Sequence, residues 1–163
     1  MCPSFPDNVE SSKSFPYPIE SLVPQSKAMV LVDRVLEVGD AHIVVELTVR
    51  DDGLFSTAEH TVPAWIGLEY MAQTVAAFSG YHRKRLGQEI ELGFLLGTRF
   101  YQSSDDSFRC GAVLRIRAEK IIEVANDMVV FDCCLQGEQI EATSRLNLLL
   151  PQDSKKFLAG KGI

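Results

Sequence analysis

Four residues within the stretch "AEHTVPAWIGLEYMAQ" could together build a proton-transfer site: His60 and Glu69 to move protons, with Gly67 and Gln73 beside them. Glu69 and Gln73 stand at i and i+4, so on a helix they share a face, and the Gln73 amide can donate to the carboxylate. His60 sits just ahead of that helix, in what reads as a turn. An imidazole titrates near neutrality, as a general base must. The other two histidines, His42 and His82, have no comparable company. At the helix start, around Trp65, Ile66 and Gly67, backbone N–H groups lack intrahelical acceptors. They suit a carbonyl oxygen on which charge builds, and Gly67 lets a ligand approach the backbone. A base, a carboxylate and oxyanion donors are the parts needed to remove a proton alpha to a carbonyl and expel a beta group. The same residues also read as a first-turn glutamate reaching solvent and an exposed loop histidine, and spacing alone leaves both readings open. The helix dipole favours an ionised Glu69, whereas an apolar surround favours the acid.

The helix that positions these groups runs from about residue 64 to 86, with Pro63 suited to its first turn. It is apolar on nearly every side through Trp65, Ile66, Leu68, Met71, Val75 and Phe78, so it is expected to be wrapped rather than laid on a surface. Strand patterns flank it. "AMVLVDRVLEVGD" and "HIVVELTVRDD" precede it as a hairpin around Gly39 and Asp40, and residues 90–103, 112–124, 128–136 and 139–151 follow it. Short links favour antiparallel pairing. The fold class is therefore α+β, a curled antiparallel sheet of about six strands around one long helix. One sheet covers one side of the helix, and a second subunit is expected to cover the other. Residues 1–18, with four of the seven prolines, read as an irregular arm; 19–151 form a single domain and 152–163 a tail.

Composition narrows the classes. The 163 residues carry a net charge of −6, which argues against nucleic acid and anionic membranes as partners. No apolar run approaches a membrane span. None of the four cysteines forms a CxxC pair or a metal-ligand pattern, so Cys2, Cys110, Cys133 and Cys134 read as reduced thiols in a cytoplasmic protein, and no metal site is expected. Cys133 and Cys134 adjoin in a strand pattern and should face opposite ways. "HRKR" contains Arg83, Lys84 and Arg85, a basic cluster on an acidic chain. It reads either as a solvated, dipole-complementing helix end or as a docking point for an acidic partner. Trp65, Phe94 and Phe100 are candidates to line a substrate tunnel, or simply core.

"HTVPAWIGLEYMAQ" resembles the active-site segment of the hot-dog-fold 3-hydroxyacyl-[acyl-carrier-protein] dehydratases, which place a catalytic His in a loop before an acidic residue and a Met-Ala-Gln run on the central helix. "SLVPQSKAMVLVDRVLEV" and "GFLLGTRFYQSSDDSFRCGAVLRIRAE" resemble further segments of that family, so the likeness spans about residues 18–150. The chain looks closest to a compact variant associated with polyketide-like clusters, aryl polyene clusters among them. The resemblance implies a dimer with sites at the subunit interface, homodimeric or paired with a related hot-dog subunit. His60 would take the C2 proton of a 3-hydroxyacyl thioester, as in fatty-acid or polyketide-like biosynthesis. Glu69 of the opposite subunit would protonate or orient the departing hydroxyl. The Gly67 region would polarise the thioester carbonyl and Gln73 would orient Glu69. The product would be a trans-2-enoyl thioester, with no metal or redox cofactor. The acyl group would arrive on the phosphopantetheine of an acyl carrier protein, for which Arg83, Lys84 and Arg85 would be the dock. Two alternatives share the fold: an acyl thioesterase using Glu69 without needing His60, and a non-catalytic subunit of an active dehydratase. The chain departs from the family pattern in three places. Only eight residues separate His60 from Glu69, fewer than usual; Ala64 stands where a Gly is usual, and Gln25 replaces a His.

Overall fold

The computed structural model describes Cys2, Phe5, residues 15–124 and residues 127–161. Most of the N-terminal arm lies outside the described residues. The "IESL" segment forms a single 3-10 turn, Ile19–Ser21, and a second, Lys27–Met29, follows. Strands β1 (Arg34–Val38) and β2 (His42–Thr48) pair antiparallel as the hairpin expected around Gly39 and Asp40. After the central helix α1 (Gly67–Arg85) come β4 (Phe94–Ser103), β6 (Val113–Val124), β7 (Met128–Gln136) and β8 (Glu141–Leu149). These make one six-stranded antiparallel sheet of order β1-β2-β6-β7-β8-β4.

Two short strands were not evident from the sequence pattern. β3 (Thr61–Pro63) and β5 (Ser107–Arg109) pair with each other in a separate two-stranded ribbon. Three residues are too few to show a period, but this ribbon anchors the chain between His60 and the helix. Pro63 therefore ends β3, and a 3-10 turn, Ala64–Ile66, leads into α1. Residues 154–161 of the expected tail form a short helix, α2 (Ser154–Lys161).

The sheet packs against α1 through Ile43, Val45, Leu47, Ile116, Phe131 and Leu146, which bury Met71, Val75 and Phe78 in one cluster. Burying side chains of this size contributes on the order of 1.5–3 kcal/mol each. Phe78 meets Phe131 edge-on at 5.5 Å between ring centroids. Gly80 is needed because a Cβ there would lie 1.9 Å from the carbonyl oxygen of Leu22. Helix and N-terminal segment thus approach backbone to side-chain-free backbone.

Cys133 and Cys134 do face opposite ways. Cys133 joins the main core, where burial pushes its thiol well above the ordinary range, and Cys134 packs outside the sheet with Phe5 and Val44. The expectation of four reduced thiols is corrected. Cys2 and Cys134 are joined as a disulfide, because Cys2 lies with Phe5 on the outer face on which Cys134 sits, and Cys110 and Cys133 are free.

Candidate active site

The helix is not wrapped evenly. Trp65, Glu69, Ala72, Ala76 and Ser79 all remain at least partly open, while Ile66, Tyr70, Met71, Gln73, Val75 and Phe78 are buried. The open residues recur every three or four positions, so they form one stripe along the helix. Below Trp65 and Glu69 that stripe is made of small side chains. It forms a wall of a cavity of about 170 Å³ also lined by Gln25, Leu95 and Leu148. Glu69 is thus set into a recess of small and apolar side chains that also holds Gln25, Ser79 and Glu91, rather than simply reaching solvent.

Glu69 is held from below. Gln73 is fully buried and donates through Nε2 to Glu69 Oε1 at 2.8 Å. The same Nε2 donates to Met29 O at 2.8 Å, and Leu31 N donates to Gln73 Oε1 at 2.8 Å. Gln73 therefore satisfies its carboxamide completely, as a buried polar side chain must. It ties the carboxylate to the segment 29–31 that follows from the second 3-10 turn, and the i to i+4 contact read from the sequence is present.

At the helix start, Gly67 serves a purpose not foreseen. A Cβ at Gly67 would stand 2.3 Å from the hydroxyl oxygen of Tyr101 and 3.2 Å from the Phe108 ring. The Tyr101 hydroxyl donates to the carbonyl oxygen of Ala64, and burial raises its pKa to about 12, so it stays a donor. The space left by the missing side chain is thus filled from β4. The expected open amide at Gly67 is also corrected: its N–H donates to Ala64 O within the 3-10 turn. The N–H groups of Trp65 and Ile66 precede that first hydrogen bond.

His60 lies elsewhere. It adopts the left-handed backbone region with φ 56°, and its side chain is 76% exposed. Its Nδ1 lies 2.5 Å from Asp51 Oδ2. That hydrogen bond is the main reason Asp51 is held below its ordinary pKa, against a smaller opposing effect of burial. Asp51 went unremarked in the sequence because "RDDG" reads as a turn with two acidic residues, and nothing local says which one meets His60. Within one chain, His60 and Glu69 are not brought together: no hydrogen bond joins them, and His60 does not line the Glu69 cavity.

The proposed tunnel residues do not line that cavity either. Trp65 is 63% exposed, Phe94 packs against Phe157, and Phe100 faces a different cavity on the outer side of the sheet with Arg117 and Asp132. The reason is sheet phase. β4 carries register irregularities between Leu95 and Gly97 and between Thr98 and Tyr101, so a simple alternation misassigns its faces. Leu95 supplies the apolar wall instead. The basic cluster is largely used within the chain. Arg83 donates to the carbonyls of Glu89 and Gln152 and pairs with Glu91 at 3.7 Å, Lys84 lies over Tyr17 and Arg85 over Tyr81.

Comparison with known proteins decides the family. The family model of the ApeP-like proteins, described as ApeP dehydratase, matches residues 17–159. The chain belongs to this dehydratase family. Among solved structures it is similar to a chain of the dehydratase heterocomplex ApeI:P from Xenorhabdus doucetiae, at 28% identity and a TM-score of 0.78, covering 88% of this chain and 97% of that one. The hot-dog architecture extends to more distant structures. A protein of Pyrococcus horikoshii, PH1136, aligns with a TM-score of 0.57 at 12% identity over 86% of this chain and 98% of that one. Cj0977, a virulence protein of Campylobacter jejuni, aligns with a TM-score of 0.55 at 10% identity over 83% and 89%. These last two speak for the fold alone. No curated protein sequence matches the chain. Among the described residues, no helix is long and apolar enough to cross a membrane.

Proposed function

We propose that this chain acts as a 3-hydroxyacyl-thioester dehydratase in a fatty-acid or polyketide-like pathway such as aryl polyene formation, with its acyl substrate carried on the phosphopantetheine of an acyl carrier protein. The observation that carries the reading is Glu69, held by the buried Gln73 in a recess walled by Ala72, Ala76, Leu95, Leu148 and Leu150, with Gln25 and Glu91 as its larger polar neighbours. His60 removes a proton from C2 of the thioester. Glu69 gives its proton to the departing C3 hydroxyl, which leaves as water, and the C2–C3 double bond forms. The thioester carbonyl is polarised at the helix start around Gly67, through the Trp65 and Ile66 amides. An acid and a base suffice for this elimination, so the chemistry calls for no metal or redox cofactor.

His60 and Glu69 of one chain face different surroundings, so the working pair comes from two chains. The related chain was solved in a heterocomplex, which favours pairing with a related hot-dog subunit over a homodimer. The same observation supports a second reading, in which this chain completes its partner's site without turnover of its own. Lys84 and Arg85 are the remaining candidates for the carrier dock, and Trp65 is a candidate to contact substrate or the second subunit.

The test is to offer the purified chain, alone and with a related hot-dog subunit, a 3-hydroxyacyl thioester on carrier protein. Enoyl absorbance and free thiol are followed separately. Interconversion with the enoyl thioester and no thiol release is the expected result. Thiol release without enoyl formation would replace the dehydratase by the thioesterase, and activity only with the partner's own His and Glu intact would support the second reading.

A further inference from the structure

We propose that Asp51 is a positioning residue that holds His60 in the tautomer with its proton on Nδ1, leaving the lone pair of Nε2 to act as the base. The catalytic half of this rests on the reading of His60 given above; the tautomer half does not. A carboxylate only accepts hydrogen bonds, so the 2.5 Å contact between Asp51 Oδ2 and His60 Nδ1 requires the proton on that nitrogen. In a neutral imidazole the other nitrogen then has no proton. Nε2 makes no hydrogen bond among the described residues, and the ring is open to whatever docks against this face.

The surroundings are built to keep the pair. Asp51 follows β2 by three residues, and the neighbouring Ser56 and Cys110 side chains add smaller effects that help keep its pKa low. His60 is fixed on both sides of its own peptide groups: its N–H donates to Thr57 O at 3.1 Å, and its carbonyl accepts from Cys110 N at 3.0 Å. Thr57 N donates to Thr61 O at 2.8 Å and closes the turn. A left-handed conformation at a non-glycine residue is sparsely populated and persists only where neighbours over-determine it. Here that conformation lets the backbone cross to β3 while the ring turns back to Asp51. The other charged groups nearest in the chain are Arg50, Asp52 and Glu59. Arg50 pairs with Asp33, the Asp52 carboxylate accepts from Leu54 N, and hydrogen bonds from Thr57 and from its own backbone N–H hold Glu59 below its ordinary pKa, so among the described residues it is Asp51 that meets the imidazole.

The experiment has two readouts. The first is the ¹⁵N spectrum of histidine-labelled protein, recorded well above the imidazole titration, with the His60 ring signals assigned through His60→Ala. The wild-type ring should carry its proton on Nδ1, and Asp51→Asn, whose amide can donate to Nδ1, should move it to Nε2. The second is turnover with the dehydratase substrate. Asp51→Asn and Asp51→Ala should lower kcat by between about 10-fold and 10⁴-fold with KM nearly unchanged, the range seen when orienting partners of imidazoles are removed, and Asp51→Glu should recover part of the loss. A wild-type ring protonated on Nε2 overturns the proposal, and so does an Asp51→Asn variant with unchanged tautomer and kcat. A correct tautomer in a protein that turns over no hydroxyacyl thioester supports the positioning and overturns the function instead.

Discussion

The two chemical ends of this molecule are built on opposite plans. Glu69 stands on a long helix, and its partner Gln73 is fully buried and shares its hydrogen bonds with Met29 and Leu31. His60 stands on a surface turn in a strained conformation, and its partner Asp51 is nearly half exposed. The first end is part of the core and cannot move without disturbing it. The second is a surface turn whose exposed ring is held from one side by Asp51. On the proposed reading, folding gives the carboxylate its recess and assembly delivers the histidine.

The largest effects should come from removing either chemical group. His60→Ala and Glu69→Gln should each lower dehydration by about 10²- to 10⁴-fold, the usual share of a general acid or base. Neither should unfold the protein. The sharper use of these variants is to combine them. If active assemblies contain two copies of this chain, co-expressed His60→Ala and Glu69→Gln chains should regain part of the activity, because one of the two interface sites is then intact. No recovery in such hybrids, with each variant still folded, would mean that both groups act from one chain or that the second subunit is a different protein.

How the two ends differ also explains what could be read without a structure. The Glu69 and Gln73 contact is local: four residues on a helix fix it. The hairpin, the long helix and four later strands followed from periodicity in the same way. What His60 touches is not local in that sense. Asp51 meets it across a loop of nine positions, and Cys110 reaches its carbonyl from the far side of the helix in sequence. Phe94 and Phe100 stay out of the Glu69 cavity for a related reason. Both lie on β4, where irregular register breaks the two-residue alternation that would place them. Tyr101 filling the space at Gly67 is likewise a contact between β4 and the helix start, and no pattern in either segment announces it.

Stability should separate the ends next. Gln73→Ala strands the buried Leu31 N, takes the donor from Met29 O and removes the support of Glu69, at a cost of about 1–3 kcal/mol. Its Tm should fall clearly, whereas His60→Ala should leave Tm nearly unmoved. Equal Tm values for the two variants would break the contrast between a core-built and a surface-built half. The helix start offers a related cycle. Gly67→Ala drives a methyl into the Tyr101 hydroxyl and should destabilise by about 1–3 kcal/mol, as overpacking does. Tyr101→Phe removes the oxygen that a Cβ would strike. The added cost of Gly67→Ala should therefore be smaller in the Tyr101→Phe background than in the wild type. An additive double variant would show that Tyr101 is not what requires a glycine there.

The smallest effect should lie at the Asp51 pair, and its sign is fixed by the direction of the shift. Asp51 is held below its ordinary pKa, chiefly by the hydrogen bond from His60. A group whose folded pKa is depressed binds protons less readily when folded, so the unfolded chain takes up more protons as pH falls. The stabilisation is fully present above the unfolded carboxylate pKa and is lost as pH drops through the folded one. Wild type should therefore exceed Asp51→Ala in Tm slightly at neutral pH, and the difference should vanish in acid. Because the pair is exposed, the neutral-pH gap should be far smaller than the Gln73→Ala effect. A gap that matched Gln73→Ala, or that grew in acid, would mean that the His60 turn is a structural element of the fold and not an arm held ready for a neighbour.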